Sequence, residues 1–101
     1  MNITIQEKDG NRVALLEGRF DTAATPEAEK ALQPLYSSEN QKIILDCTGL
    51  TYISSSGLRV FLSVLKTTQV KGCQVYLSGL NNDLRHIFTM TGFINLFKFQ
   101  D

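Results

Sequence analysis

The sequence predicts one α/β domain, built on a mostly parallel central sheet of about five strands with an N-terminal β-hairpin edge and about four helices. The spacing of apolar residues switches several times between a period of two and one of about 3.6, which indicates mixed strands and helices. After the first hairpin, strand-like and helix-like segments alternate, as in parallel sheets with right-handed crossovers. A length of 101 residues with 43% apolar content is enough for one core and too little for two, so residues 1–101 are predicted to form a single domain.

The first two strands are predicted from an alternating segment and an apolar run. Ile3 and Ile5 alternate with polar residues, and residues 13–16 form the second run. Asp9 and Gly10 lie between the two segments. An Asp-Gly pair in that position favours a tight hairpin, because the turn needs positive φ angles.

The first helix is predicted in the segment that follows Gly18 and Asp21. Thr25 before Pro26 indicates a cap followed by a proline at the first helical position. Pro34 cannot fit inside the helix, so the helix should end or kink near Gln33. The apolar residues that share one face of this helix are Ala24, Ala28, Ala31, Leu32 and Leu35.

Three more strands and two more helices complete the prediction. Residues 42–47 form a near-continuous apolar run, which predicts a central parallel strand covered on both faces. Residues 73–78 and 95–99 are the other strand candidates.

Two further helices are predicted from apolar spacing. The second helix should pack on the sheet through Leu58, Phe61, Leu62 and Leu65. Its outward residues should be Arg59, Ser63, Lys66 and Thr67, and it should stop at Gly72. A shorter third helix is predicted because Leu84, Ile87, Phe88 and Thr91 repeat the same spacing, with Asn81 or Asn82 as its cap and Gly92 as its left-handed C-terminal residue.

Composition argues against several classes of function. Ten basic and ten acidic residues cancel, so neither nucleic acid nor an anionic membrane is an expected partner. No basic leader is present and no apolar run approaches the roughly 18 residues that span a bilayer, which predicts a soluble cytoplasmic protein without membrane insertion. Cys47 and Cys73 lack the paired spacing of a metal or redox site and are expected to be buried reduced thiols. Phosphate-binding glycine motifs are absent too, so no metal and no cofactor is predicted.

A run of three serines, Ser54 to Ser56, precedes Gly57 where the chain should leave the carboxyl end of the central strand through a loop over residues 48–54. Serine is favoured at helix starts, so simple capping is one interpretation. A nucleophile elbow is not formed, because Ile53 stands where that motif needs a glycine. The only histidine, His86, is expected to be a partly exposed helix residue rather than a general base, and nothing fixes the separation of Asp21 and Asp46. No catalytic residue is therefore assigned.

Several short motifs occur in a distinctive order. A strand ends in Leu45-Asp46, Ser55-Ser56-Gly57-Leu58 opens a helix, Gly72 precedes a strand, and Thr91-Gly92 closes the last helix. Upstream lies Gly18-Arg19-Phe20-Asp21. In this order and spacing, nearly the whole chain resembles the STAS domain of bacterial anti-sigma-factor antagonists. The sequence departs from that family's pattern at Ser54, where relatives usually have an aspartate. Both residue types cap helices well, so Ser54 is expected to cap the helix start.

The resemblance implies a switch protein rather than an enzyme. Ser55 matches the serine that receives a phosphoryl group from an anti-sigma factor serine kinase, and a serine phosphatase would reverse the modification. The unphosphorylated form would bind the anti-sigma factor and so regulate transcription through partner switching. Partner binding would involve the neighbouring residues and the upstream aspartate, namely Asp21, Thr22, Ser54, Ser56, Gly57, Leu58 and Arg59.

Two alternatives stay open from the sequence. One is a STAS interaction subunit of a transporter or signalling complex that is never phosphorylated, which the serine at position 54 allows. The other is a hydrolase that uses one of the serines as its nucleophile. The physical chemistry of a helix start favours the phosphoacceptor, because unpaired N–H groups and the helix dipole stabilise an added negative charge.

Overall fold

The computed structural model describes residues 1–100 and contains five strands and three α-helices. The prediction of about four helices is one too many, because the other helical turns within residues 1–100 are short 3₁₀ segments, at Thr22–Ala24, Gln33–Ser37 and Phe93–Asn95. The strands are β1 (Asn2–Lys8), β2 (Asn11–Phe20), β3 (Lys42–Ile53), β4 (Gln74–Ser78) and β5 (Lys98–Gln100). The helices are α1 (Thr25–Leu32), α2 (Ser55–Gln69) and α3 (Asn82–Met90).

The five strands form one sheet in the order β1-β2-β3-β4-β5. The β1 strand runs antiparallel to β2, and β2 to β5 are mutually parallel, so β3 is central as predicted. The predicted hairpin is confirmed, because Asp9 and Gly10 have φ angles of 55° and 80°. The fold class predicted from the sequence is therefore correct.

All three helices cover the same face of the sheet. Ala14, Leu45 and Leu77 are neighbours across β2, β3 and β4, are fully buried, and belong to one core cluster with residues of α1, α2 and α3. The residues on either side of each of these point to the opposite face and are half-buried, as Ile44 is in β3. The prediction that β3 is covered on both faces is wrong, because no helix within residues 1–100 packs on the second face.

The β3 strand is also longer than predicted, since it continues to Ile53 where a loop was expected after Cys47. Its pairing with β2 shifts register between Leu15 and Glu17 and again after Gly18. Such irregularities break the alternation of buried and exposed residues, and the buried positions become Cys47, Leu50 and Ile53. Because buried and exposed residues no longer alternate after Cys47, the sequence of this part of β3 resembles that of a loop.

Most of the predicted helix boundaries are confirmed. Gln33 is the C-terminal cap of α1, the Asn81 side chain caps α3, and Gly92 has the expected positive φ angle of 78°. Thr25 is a correction: it lies inside α1, because the 3₁₀ turn at Thr22–Ala24 extends the helical run upstream. The fifth strand begins at Lys98 rather than at residue 95, since Phe93–Asn95 form a 3₁₀ turn.

Phe61 lies at the centre of an aromatic cluster in the core. Its ring centroid is 6.1 Å from that of Phe20, 6.2 Å from Phe88 and 6.5 Å from Phe97. These rings come from β2, α2, α3 and the segment before β5, so the cluster joins elements that are distant along the chain. The contacts with Phe20 and Phe97 are edge-to-face, and contacts of this kind add to the free energy gained from burial.

We expect Phe61→Ala to lower the free energy of unfolding by about 3–5 kcal/mol, because it leaves a cavity among three rings. Denaturant titration followed by circular dichroism measures this change. Val70→Ala is the control, since Val70 is 85% exposed and its truncation should change stability by no more than about 0.5 kcal/mol. Equal midpoints for the two variants would contradict a central role for Phe61.

Candidate functional site

Ser54 fixes the start of α2. Its backbone is extended, with φ −85° and ψ 171°, and its hydroxyl accepts a hydrogen bond from the Gly57 amide at 3.2 Å. The Ser54 amide donates to the Phe20 carbonyl at 2.8 Å, which attaches the helix start to the end of β2. Only 7% of Ser54 is exposed. The predicted capping role of Ser54 is confirmed, and its hydroxyl is occupied by the hydrogen bond from the Gly57 amide.

Gly57 allows α2 to approach the sheet closely. A Cβ atom at this position would lie 2.8 Å from Cγ1 of Ile53 and 3.0 Å from two atoms of the Phe20 ring. Both neighbours are buried, so neither can move aside without disturbing the core. The glycine of the serine motif is therefore required by packing. Leu58, the next residue, is 3% exposed and contributes to the same core.

Ser55 is the first residue of α2, and it is exposed. Its hydroxyl takes part in none of the side-chain hydrogen bonds formed within residues 1–100, whereas the hydroxyls on either side of it do. A free hydroxyl at the first turn of a helix can be reached by another protein. An anionic group attached there would meet unpaired amides and the positive end of the helix dipole.

Ser56 connects α2 to the turn that follows β2. Its half-buried hydroxyl lies 3.4 Å from the Ser54 hydroxyl and 3.4 Å from the Thr22 hydroxyl, to which it donates. Asp21 caps that turn, since its Oδ1 accepts a hydrogen bond from the Ala24 amide at 3.0 Å. The structure thus brings Asp21 and Thr22 beside the serine run, although more than thirty residues separate them along the chain.

The predicted partner-binding residues fall into two groups. Thr22 and Arg59 are exposed, and Asp21 is half-buried at the surface, so these side chains can contact another protein. Ser54, Gly57 and Leu58 are buried, so they position the helix and do not themselves present side chains to a partner. Ser56 is half-buried, and its hydroxyl is directed towards Thr22.

A shallow groove between α1 and α2 extends this surface, and sequence reasoning did not identify it. Ser56, Arg59 and Ser63 form its α2 wall, and the other wall includes Glu29 and Tyr36. Burial, and to a lesser degree the nearby Glu29 carboxylate, raises the pKa of Tyr36, so its phenol stays protonated at neutral pH. The outward spacing of Arg59 and Ser63 was visible in the sequence. The approach of Glu29 and Tyr36 to them depends on how the helices pack.

His86, Asp46 and the two cysteines are the other groups that the sequence raised as candidates. His86 is exposed on α3, as predicted, and the Asp46 Oδ1 accepts hydrogen bonds from the amide and hydroxyl of Thr48 at 3.0 and 2.7 Å. Within residues 1–100, no three His, Cys, Asp or Glu side chains are grouped to hold a metal ion. Both cysteines are free and buried as predicted, and burial, with a smaller contribution from Asp46, raises the pKa of Cys47 to about 12.

The fold and the serine-capped helix agree with comparisons to known proteins. The family model that describes the STAS domain matches residues 2–101. The chain belongs to the STAS domain family. Within residues 1–100, the STAS domain has no helix that is both long and apolar enough to cross a membrane.

Curated relatives of this STAS domain are anti-sigma factor antagonists. BtrV of Bordetella bronchiseptica, described as a candidate anti-sigma factor antagonist, is 35% identical over 98 residues that cover 96% of this chain and 84% of BtrV. The anti-sigma-B factor antagonist of Listeria monocytogenes is 26% identical over 102 residues, which cover 100% of this chain and 90% of that protein. The Bacillus cell fate determinant SpoIIAA in its phosphorylated form has the same fold, with a TM-score of 0.72, 15% identity, and coverage of 99% of this chain and 92% of SpoIIAA.

Gly57→Ala should destabilise this STAS domain by about 1–3 kcal/mol, because the added methyl group would overlap Ile53 and the Phe20 ring. Thermal and denaturant unfolding measure the change. Ser63→Ala, an exposed substitution on the same helix, is expected to leave stability within about 0.5 kcal/mol of the parent. A Gly57→Ala domain as stable as the parent would show that the helix can move away from the sheet without cost.

Ser54→Ala should lower stability by about 1 kcal/mol, because the Gly57 amide loses its partner. Ser54→Asp should retain stability, since a carboxylate also caps a helix start and interacts favourably with the dipole. Paired unfolding measurements compare the two variants. If alanine and aspartate proved equivalent at this position, the cap would contribute nothing.

Proposed function

We propose that this protein is an anti-sigma-factor antagonist that binds an anti-sigma-factor serine kinase, and that phosphorylation of Ser55 ends this binding. In this role it is a regulatory partner of the kinase and catalyses no reaction itself. It would act in the cytoplasm, where sigma factors meet RNA polymerase. A serine phosphatase would restore the binding form.

The observation that supports this proposal is the different state of three adjacent serines. The Ser54 hydroxyl is used by the helix cap, and the Ser56 hydroxyl is directed towards Thr22. Only Ser55 offers an exposed hydroxyl that a kinase could reach without first opening the helix start. The family resemblance independently selects the same residue.

A phosphate on Ser55 would change the surface without unfolding the domain. It adds about −1.5 to −2 charges at pH 7, and the amides of the first helical turn can stabilise that charge. A partner surface complementary to a neutral hydroxyl would then meet a desolvated anion. A hundredfold loss of affinity requires only about 2.8 kcal/mol, which one such group can supply.

The docking surface would include the exposed groups around Ser55. Thr22 lies beside Ser56, and Arg59 follows Ser55 by one helical turn on the same face of α2. Asp21 would act mainly by holding the Thr22 turn, because one of its carboxylate oxygens caps that turn. The groove beside Arg59 gives a partner an additional recess.

We expect one phosphate per chain, located on Ser55, when the protein is incubated with its cognate kinase and ATP. Mass spectrometry of proteolytic fragments locates the modification. Ser55→Ala should abolish it, whereas the matched control Ser63→Ala, also an exposed serine on α2, should not. Phosphate found on Ser54 or Ser56, or labelling that survives Ser55→Ala, would disprove the assignment.

The partner-switching step requires a separate measurement. Ser55→Asp and the phosphorylated protein should both bind the kinase at least about a hundredfold more weakly than the parent, as measured by titration calorimetry. Unchanged binding by both forms would favour the alternative of a STAS interaction subunit that is not switched by phosphate.

A further inference from the structure

The second face of the sheet is unusual because parallel strands form most of it. Parallel sheets are almost always covered on both faces, whereas here β2 to β5 are parallel and all helices of residues 1–100 lie on one side. Three half-buried apolar side chains, Val13, Leu15 and Ile44, lie near the middle of the other face. We call this surface the open face. Besides these three residues, it includes Gln6, Lys42, Asp46 and Ser78.

Charges on the open face are separated along β3. Lys42 lies towards the amino end of the strand, and its ammonium is 4.5 Å from the centroid of the Tyr76 ring, which holds it over the face. Asp46 lies four residues further along the strand, with Ile44 midway between them. Four strand residues span about 13 Å, so the two charges are too far apart to pair within one chain. The only ion pair within residues 1–100 joins Arg12 and Glu7.

This pattern is complementary to itself. A two-fold axis that passes beside Ile44, parallel to the sheet and perpendicular to its strands, would place a second β3 antiparallel over the first. Lys42 of each copy would then face Asp46 of the other, and the two Ile44 side chains would meet in the middle. The Asp46 Oδ1 already accepts bonds from Thr48, but its other oxygen forms no bond within residues 1–100. A symmetric dimer interface requires this kind of self-complementary surface.

The size of the overlap suits a weak association of two copies. Ile44 is the third residue of β3, so a two-fold axis beside it superimposes about five rows of residues across five strands about 4.8 Å apart, a patch of roughly 24 by 16 Å. Two such patches would bury roughly 800 Å², which is the size of a weak, reversible contact. Lys98 lies in the same row as Ile44 on the edge strand, so the two Lys98 side chains would approach only at the rim, where they stay exposed to solvent.

We infer that the open face binds a second copy of this chain, forming a weak two-fold symmetric dimer through reciprocal Lys42–Asp46 pairs around Ile44. The inference is independent of the proposed role of Ser55, because α2 lies on the other side of the sheet. A dimer of this form leaves both Ser55 surfaces free for partners.

Reversing the charges of Lys42 and Asp46, singly and together, tests this inference. Sedimentation velocity, over a series from micromolar to near-millimolar protein, should show a reversible monomer–dimer equilibrium. Lys42→Asp alone and Asp46→Lys alone should each weaken the dimer by about tenfold or more, because like charges then face each other. The double variant K42D/D46K should restore the dissociation constant to within about threefold of the parent, because its reciprocal pairs are re-formed with opposite polarity.

Two further variants keep the experiment decisive. Ile44→Asp should also weaken the dimer, and Lys66→Asp, an equivalent charge reversal on exposed α2, should not. Thermal melts establish that each variant is folded before its association is measured. A monomer at every concentration would overturn the inference. So would a dimer that is insensitive to the single reversals, or a double variant no tighter than the single ones.

Discussion

The candidate site depends on one close contact, where the backbone of Gly57 lies against the Phe20 ring and Ile53. This contact lets α2 begin directly on the ends of β2 and β3, with the Ser54 amide bonded to the Phe20 carbonyl. Ser54 is thereby buried as the cap, and the next residue, Ser55, must turn outward. The exposure of a single hydroxyl is thus a consequence of packing beneath it.

The same strand end organises the rest of the docking surface. After Phe20 the chain turns at Asp21, whose side chain caps a short 3₁₀ helix, and Thr22 then reaches the Ser56 hydroxyl. Two connections, one leaving β2 and one leaving β3, are therefore held together at the surface. This arrangement places polar groups from distant parts of the sequence around one exposed serine.

One-sided packing separates two surfaces of the molecule. The helices and Ser55 occupy one side of the sheet, and the face around Ile44 occupies the other. Events on one side can therefore proceed without steric competition from the other. Two strands connect the surfaces. β3 contributes Ile53 to the Ser55 site and Ile44 to the open face, and β2 contributes Phe20 to the Ser55 site and Val13 and Leu15 to the open face.

Local chemistry in the sequence determined the element order, the hairpin at Asp9-Gly10, the caps at Ser54 and Asn81, and the fold class. These features depend on residues close together along the chain, so periodicity and turn propensity are sufficient to predict them. The extension of β3 to Ile53 was missed because its register shifts against β2 remove the alternating pattern. Tertiary structure alone decided which serine is exposed, that Gly57 must lack a side chain, and that one face of the sheet stays uncovered. Each of these depends on distances between segments that only packing brings together, and no local pattern records such distances.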